Sequence, residues 1–206
     1  MGSITFNLSR VFSLQPGKVA WTGPMRRVRT GGAGTQGERG WSDMEDRRDI
    51  PIHMATVHDI PVLVAHHHKM FEEIWIRLGF EINTHQFDAM DKAHEEKLRE
   101  EIVRGICKAW VIGIGNKIFS SGAISIDSMT PTPYDPSYKV AYLHSVYTEP
   151  EYRKRGFAER ITKEAMAYCK SQRIKRMILE ASDAGRPIYE KLGFQPSGRT
   201  LRLWME

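Results

Sequence analysis

Near residue 150 a short run gathers the residue types that hold an anion: Thr148-Glu149-Pro150-Glu151-Tyr152-Arg153-Lys154-Arg155-Gly156-Phe157-Ala158. Pro150 has no N–H to give a sheet, so a strand ends there. A basic turn then leads into a segment whose residues Ala158, Ile161, Thr162, Ala165, Tyr168 and Cys169 follow the helical period. The first turn of such a helix carries unsatisfied N–H groups and the positive end of the macrodipole, an anion site before any side chain is counted. Arg153, Lys154 and Arg155 add three cations, and Gly156 lets the backbone approach a ligand closely.

Other candidate chemistry is weaker. His66-His67-His68 are consecutive, and neighbours on a helix point about 100° apart, so three in a row do not converge on one metal. His67 falls on an apolar stripe and is expected to pack, His66 and His68 to face solvent, and no metal site is expected. Cys107 and Cys169 form no C-x-x-C pair, which leaves neither a disulfide framework nor a cysteine zinc site. A reducing, cytoplasmic setting is the expectation. Gly32-Ala33-Gly34-Thr35-Gln36-Gly37 matches G-x-G-x-x-G, but no strand feeds it and no helix leaves it, so it reads as a glycine-rich linker.

The anion-binding run resembles the pyrophosphate loop of the GCN5-related N-acetyltransferases (GNAT), R/Q-x-x-G-x-G/A, here Arg153-x-x-Gly156-x-Ala158. Downstream, Ala181-Ser182-Asp183-Ala184-Gly185-Arg186-Pro187-Ile188-Tyr189-Glu190-Lys191-Leu192-Gly193-Phe194 is similar to a family branch with A-S-x-x-G-R-x-x-Y-x-x-L-G-F. The resemblance covers roughly residues 50–206. It implies an acetyl-CoA-dependent N-acetyltransferase that passes acetyl directly to a primary amine of a small molecule or peptide. Acetyl-CoA would be the donor, held at Val146, Tyr147, Thr148, Arg153, Lys154, Arg155, Gly156, Phe157 and Ala158, with Ser182 either bonding the pantetheine arm or capping a helix. Tyr189 matches the family's tyrosine that protonates the departing thiolate, and the Val146 N–H would meet the thioester oxygen as it gains charge. Ser145 stands where this branch often has Asn. The general base is left open between Glu180, His144 and a water chain, and Glu72 and Trp75 are candidates for lining the acceptor pocket. Since neither motif holds a cysteine, no acetyl-enzyme is expected. The alternative is a non-catalytic acyl-CoA sensor on the same fold.

Regular elements must position these groups. Ile50, Ile52 and Met54 alternate as a short strand; Thr56-Val57-His58-Asp59 has capping-box form, and Ile60, Leu63, Val64, His67, Phe71, Ile74 and Leu78 make one helical stripe ending before Gly79. A charged helix over about 88–104 follows, then strands 110–114 and 118–126 joined by a hairpin at Gly115-Asn116-Lys117. A proline-containing loop (129–137), a strand (140–148), a helix (156–172), a strand (176–181), a short helix (183–192) and a strand (198–205) complete the series. The order β-α-α-β-β-β-α-β-α-β predicts a mixed α+β fold. The resemblance adds a mostly antiparallel sheet, splayed between the strands that flank the CoA-binding helix.

Across 206 residues, 41% hydrophobic content suffices for one core, and no apolar run nears the roughly 20 residues that span a bilayer. No membrane partner is expected. The net charge of +5 is uneven: residues 1–43 contribute +4 and hold 8 of the 17 glycines. Residues 1–48 therefore read as a flexible basic extension and 49–206 as the catalytic domain. Met44 could be the true start, leaving the upstream residues non-native; a transit peptide is the competing reading. The cluster Arg26, Arg27 and Arg29 in that extension is thin grounds for a nucleic-acid partner, and a homodimer is left open.

Overall fold

The computed structural model describes residues 50–198. The N-terminal extension and the strand expected over 198–205 lie outside the described residues, the latter save for its first position.

A five-stranded sheet runs in the order β1-β2-β3-β4-β5, with β1 Ile52–Met54, β2 Cys107–Ile114, β3 Lys117–Ser128, β4 Lys139–Thr148 and β5 Arg176–Leu179. The pairs are antiparallel until β4 meets β5 in parallel. That reversal requires a crossover, supplied by α3, Phe157–Ser171. The remaining helices are α1 Ile60–Arg77, α2 Thr84–Val103 and α4 Arg186–Lys191.

Two apolar layers sandwich the sheet. One, under α3, joins Trp110, Ile112, Phe119, Ile124 and Leu143 to Phe157, Ile161 and Ala165. The other, under α1 and α2, joins Val111 and Ala123 to Ile60, Leu63 and Leu98. Strand residues alternate between the layers, as the pleat dictates. The predicted capping box forms: Thr56 N–H donates to Asp59 Oδ2 at 2.8 Å, and Thr56 Oγ1 accepts from the His58 N–H at 3.3 Å. It closes a short 3₁₀ turn, Val57–Asp59, that feeds α1.

Two details depart from the sequence reading. Helix α2 begins at Thr84, where the Asn83 side chain accepts from the Gln86 N–H at 3.1 Å. Its first three residues are polar, and the buried face begins only at Phe87. On α1 the sealed histidine is His66, 2% exposed, while His67 and His68 are half-buried. Burial of His66 is possible because its nitrogens find Ser121 Oγ (2.8 Å) and Glu149 Oε1 (3.4 Å), groups brought in by β3 and the end of β4.

Candidate active site

The sheet opens beside β4. Pairing with β5 stops at Leu143 opposite Leu179, whereas β4 continues to Thr148 and stays paired with β3 through Ser120↔Thr148. From His144 to Thr148 the β5-facing edge has no ladder partner among the described residues. In the same stretch Ala123 pairs with His144 and Ser121 with Tyr147, so Ser145 and Val146 together oppose Gly122. This is a β-bulge with Ser145 in the left-handed region at φ 53°. A bulge takes a residue out of the ladder and re-aims its neighbours. Gly122 is required beneath it, since a Cβ there would lie 2.8 Å from Ile161 Cγ2 and 3.1 Å from Val146 Cγ2.

The chain then passes through a 3₁₀ turn, Pro150–Tyr152, into α3. Lys154 at φ 60° and Gly156 at φ 81° curl the backbone, and the helix starts without a side-chain cap. The amides of its first turn are thus open to a ligand. Phe157, 1% exposed, anchors this turn in the core, with Ala158 half-buried beside it. The three cations are used differently. Arg153 Nε donates to the Thr148 carbonyl at 2.8 Å, while its Nη2 donates to Glu73 Oε1 and the guanidinium lies 5.4 Å from the Tyr147 ring centre. Arg155 leans on Tyr152 and donates to the Glu151 carbonyl at 3.2 Å. Lys154 makes no side-chain bond among the described residues.

Glu73 escaped the sequence reading. It sits on α1 and also accepts from Tyr147 Oη at 3.2 Å; one helical turn earlier, Lys69 donates to Glu149 at 2.6 Å. Together they fasten α1 to both ends of the turn. Their separation of about 80 positions from those partners left no local signal. Burial, then the Glu73 and Glu149 charges, push the Tyr147 phenol up to about 12.

On the other side of the opening, Ser182 Oγ accepts from the Gly185 N–H at 3.3 Å and the Ser182 carbonyl accepts from the Arg186 N–H at 2.9 Å. These bonds close the turn ahead of α4, whose N-cap is Gly185 and has no side-chain cap. Tyr189 projects from α4 onto the layer that also contains Val146 and Phe157. A Cβ at Gly185 would meet its Cε2 at 3.1 Å, which explains the glycine four positions earlier. Its ring stands edge-on to Phe194 at 5.9 Å, and its hydroxyl has no hydrogen bond among the described residues. Burial pushes its pKa up to about 12, so it is a protonated donor at neutral pH.

The opposite face of β4 carries His144, between Ser145 Oγ (3.0 Å) and Ser125 Oγ (3.1 Å). Burial lowers its pKa to about 3. Trp75 packs in an aromatic cluster with Phe71, Phe80 and Phe87, and Glu72 is half-buried without a polar partner among the described residues. Glu180 is exposed just beyond β5. The structure therefore gathers Val146 to Thr148, 153 to 158, Ser182 and Tyr189 around the strand opening, and sets His144 on the α1/α2 side. Both cysteines are free and buried, with thiols pushed up to about 11, far from a nucleophile's range.

The acetyltransferase (GNAT) domain profile matches residues 66–202. The chain belongs to the GNAT acetyltransferase family. Among solved GNAT-like structures, a Clostridium acetobutylicum acetyltransferase with acetyl-CoA is 27% identical with a TM-score of 0.67, covering 75% of this chain and 95% of that one. A GCN5-related N-acetyltransferase from Ralstonia eutropha gives 20% and 0.67 over 75% and 98% of the two chains, a likeness of fold alone. A curated relative, glucosamine 6-phosphate N-acetyltransferase of Trypanosoma brucei brucei, is 31% identical over 64 residues. That match spans 31% of this chain and 44% of the relative's length. No helix of this GNAT chain, among the described residues, is long and apolar enough to cross a membrane.

Proposed function

We propose that this GNAT protein is an acetyl-CoA-dependent N-acetyltransferase acting by direct transfer to a primary amine of a small molecule or peptide. The observation that carries the reading is the parting of β4 from β5 beside the uncapped N-terminus of α3. The open amides of Gly156, Phe157, Ala158 and Glu159 suit a diphosphate, with Lys154 and Arg155 adding field and Arg153 holding the turn in shape. The free edge of Val146, Tyr147 and Thr148 suits the amides of a pantetheine arm, which would add to the sheet as a short strand.

In this arrangement the Val146 N–H stabilises the thioester oxygen as the neutral amine attacks, an effect worth about 3 kcal/mol for one such donor. Tyr189, neutral because it is buried, gives its proton to the departing thiolate. The name of the trypanosomal relative favours a small-molecule acceptor such as an amino sugar phosphate. Calorimetry with acetyl-CoA, followed by thiol release with a panel including glucosamine 6-phosphate, polyamines and peptide N-termini, tests the reading. Uptake of acetyl-CoA and release of thiol with at least one amine are expected; calorimetry showing no uptake would end it. Deleting residues 1–48 should leave acetyl-CoA affinity intact.

A further inference from the structure

On the α1/α2 face of the bulge, side chains from four elements join in one hydrogen-bonded chain. Lys97 and Glu101, one turn apart on α2, pair with each other, and both reach Ser125 of β3. Lys97 Nζ donates to Ser125 Oγ at 2.8 Å and Ser125 Oγ donates to Glu101 Oε2 at 3.2 Å. His144 Nε2 lies 3.1 Å from that hydroxyl, His144 Nδ1 lies 3.0 Å from Ser145 Oγ, and Ser145 Oγ lies 2.8 Å from His67 Nδ1.

The direction of this chain follows from counting protons. A hydroxyl has one to give, and Ser125 gives it to the carboxylate, the stronger acceptor. Its contact with His144 then requires the N–H on Nε2. Burial, with Lys97, His94 and His67 adding to it, holds His144 neutral, so Nδ1 carries the lone pair and takes the Ser145 proton. Ser145 can only accept from His67, whose Nδ1 therefore bears hydrogen. Burial, then His94, Lys97 and His68, hold His67 neutral as well, and its Nε2 is left as an open lone pair. That atom has no hydrogen bond among the described residues, and the residue is half-buried. His94 stacked at 3.8 Å and Phe71 edge-on at 4.9 Å fix the ring. Ser145, which holds His67 Nδ1, immediately precedes Val146, the oxyanion donor of the proposed reaction.

We propose that this chain presents His67 Nε2 as the base of the acyl transfer, with Ser145, His144, Ser125 and Glu101 positioning it in the required tautomer. The proposal rests on the N-acetyltransferase reading. As the neutral amine forms its C–N bond and the carbonyl pair moves to oxygen, one N–H proton passes to His67 Nε2. Collapse breaks the C–S bond; the thiolate takes the Tyr189 proton, and the imidazolium returns its own through solvent to the phenolate. Held neutral, His67 keeps the Nε2 lone pair free at working pH, and the nitrogen it would deprotonate becomes more acidic as the C–N bond forms. The charged and titratable groups facing it are His94, Lys97 and His68 from the helices and His144 from β4, while Asp91 and Glu101 act on the stacked His94.

The test uses the full chain, acetyl-CoA and an accepted amine. His67→Asn keeps a donor toward Ser145 but removes Nε2, and kcat should fall about a hundredfold or more with acetyl-CoA affinity unchanged by calorimetry. Ser145→Gly suits the left-handed backbone and deletes the hydroxyl; kcat should fall roughly tenfold, the worth of one hydrogen bond. Nitrogen-15 NMR of wild-type histidines should show His67 protonated at Nδ1 and His144 at Nε2. A kcat for His67→Asn within threefold of wild type, or the reverse His67 tautomer, overturns the assignment. If His67→Asn does not fold, Ser145→Gly and the wild-type spectrum decide. Failure of the enzyme reading shows separately, as wild-type protein that takes up no acetyl-CoA.

Discussion

Replacing Gly122 with alanine puts a methyl group where β3 passes beneath the β4 bulge. The added Cβ would lie 2.8 Å from Ile161 Cγ2 and 3.1 Å from Val146 Cγ2. Apolar carbons settle at about 3.5–4.0 Å, so a gap of roughly 0.5–1 Å has to open. Ile161 is fully buried on α3, and a β-branched side chain in a helix has one strongly preferred rotamer, so it does not swing aside. Either α3 lifts from the sheet or Val146 moves toward the opening. Overpacking of this kind costs about 1–3 kcal/mol. At roughly 2–4 °C per kcal/mol for a chain of this size, Tm should fall by about 2–12 °C. The same shift displaces Val146, the proposed oxyanion donor, and a misplacement near 1 Å costs on the order of 100-fold in rate. Thermal unfolding and thiol-release kinetics on Gly122→Ala measure both. A variant matching wild type in Tm and kcat refutes the argument that the bulge is held from below.

Tyr189→Phe should lower kcat by at least tenfold while acetyl-CoA affinity by calorimetry holds; with the phenol near 12, wild-type kcat should show no loss from tyrosine ionisation below pH 10. Gly156→Ala has open space for its methyl but a backbone at φ 81°, which costs about 1–2 kcal/mol, so acetyl-CoA binding should weaken as the turn relaxes. Calorimetry giving equal affinity would count against the anion site. Stability should decline on acidification: burial lowers His66 and His94 from 6.5 to about 4 and His67 and His144 to about 3. The unfolded chain therefore binds more protons below pH 6.5, so stability is complete above that value and is lost as pH falls toward 4 and then 3. Each histidine adds a slope of up to about 1.4 kcal/mol per pH unit, and a flat urea midpoint between pH 7 and 5 would contradict the burial.

Local pattern sufficed for the element order from β1 to α4, because apolar period, Pro150, Gly156 and the Thr56–Asp59 box act over a turn or a strand. It sufficed as well for the shape of the turn proposed to hold an anion, since a strand, a break, a glycine and a helix start occupy consecutive positions. The start of α2 was not read because Thr84, His85 and Gln86 are polar and its buried face begins only at Phe87. Tertiary structure alone decided the Ser145 bulge, which depends on how β4 registers against Gly122, and the parting of β4 from β5, which depends on where each strand stops. It also decided what the histidines do. Consecutive residues of α1 meet Ser121 and Glu149, Ser145, and Asp91, partners 23 to 83 positions away. A side chain's proton is placed by whichever groups folding brings within 3 Å, and nothing in the neighbouring letters records them.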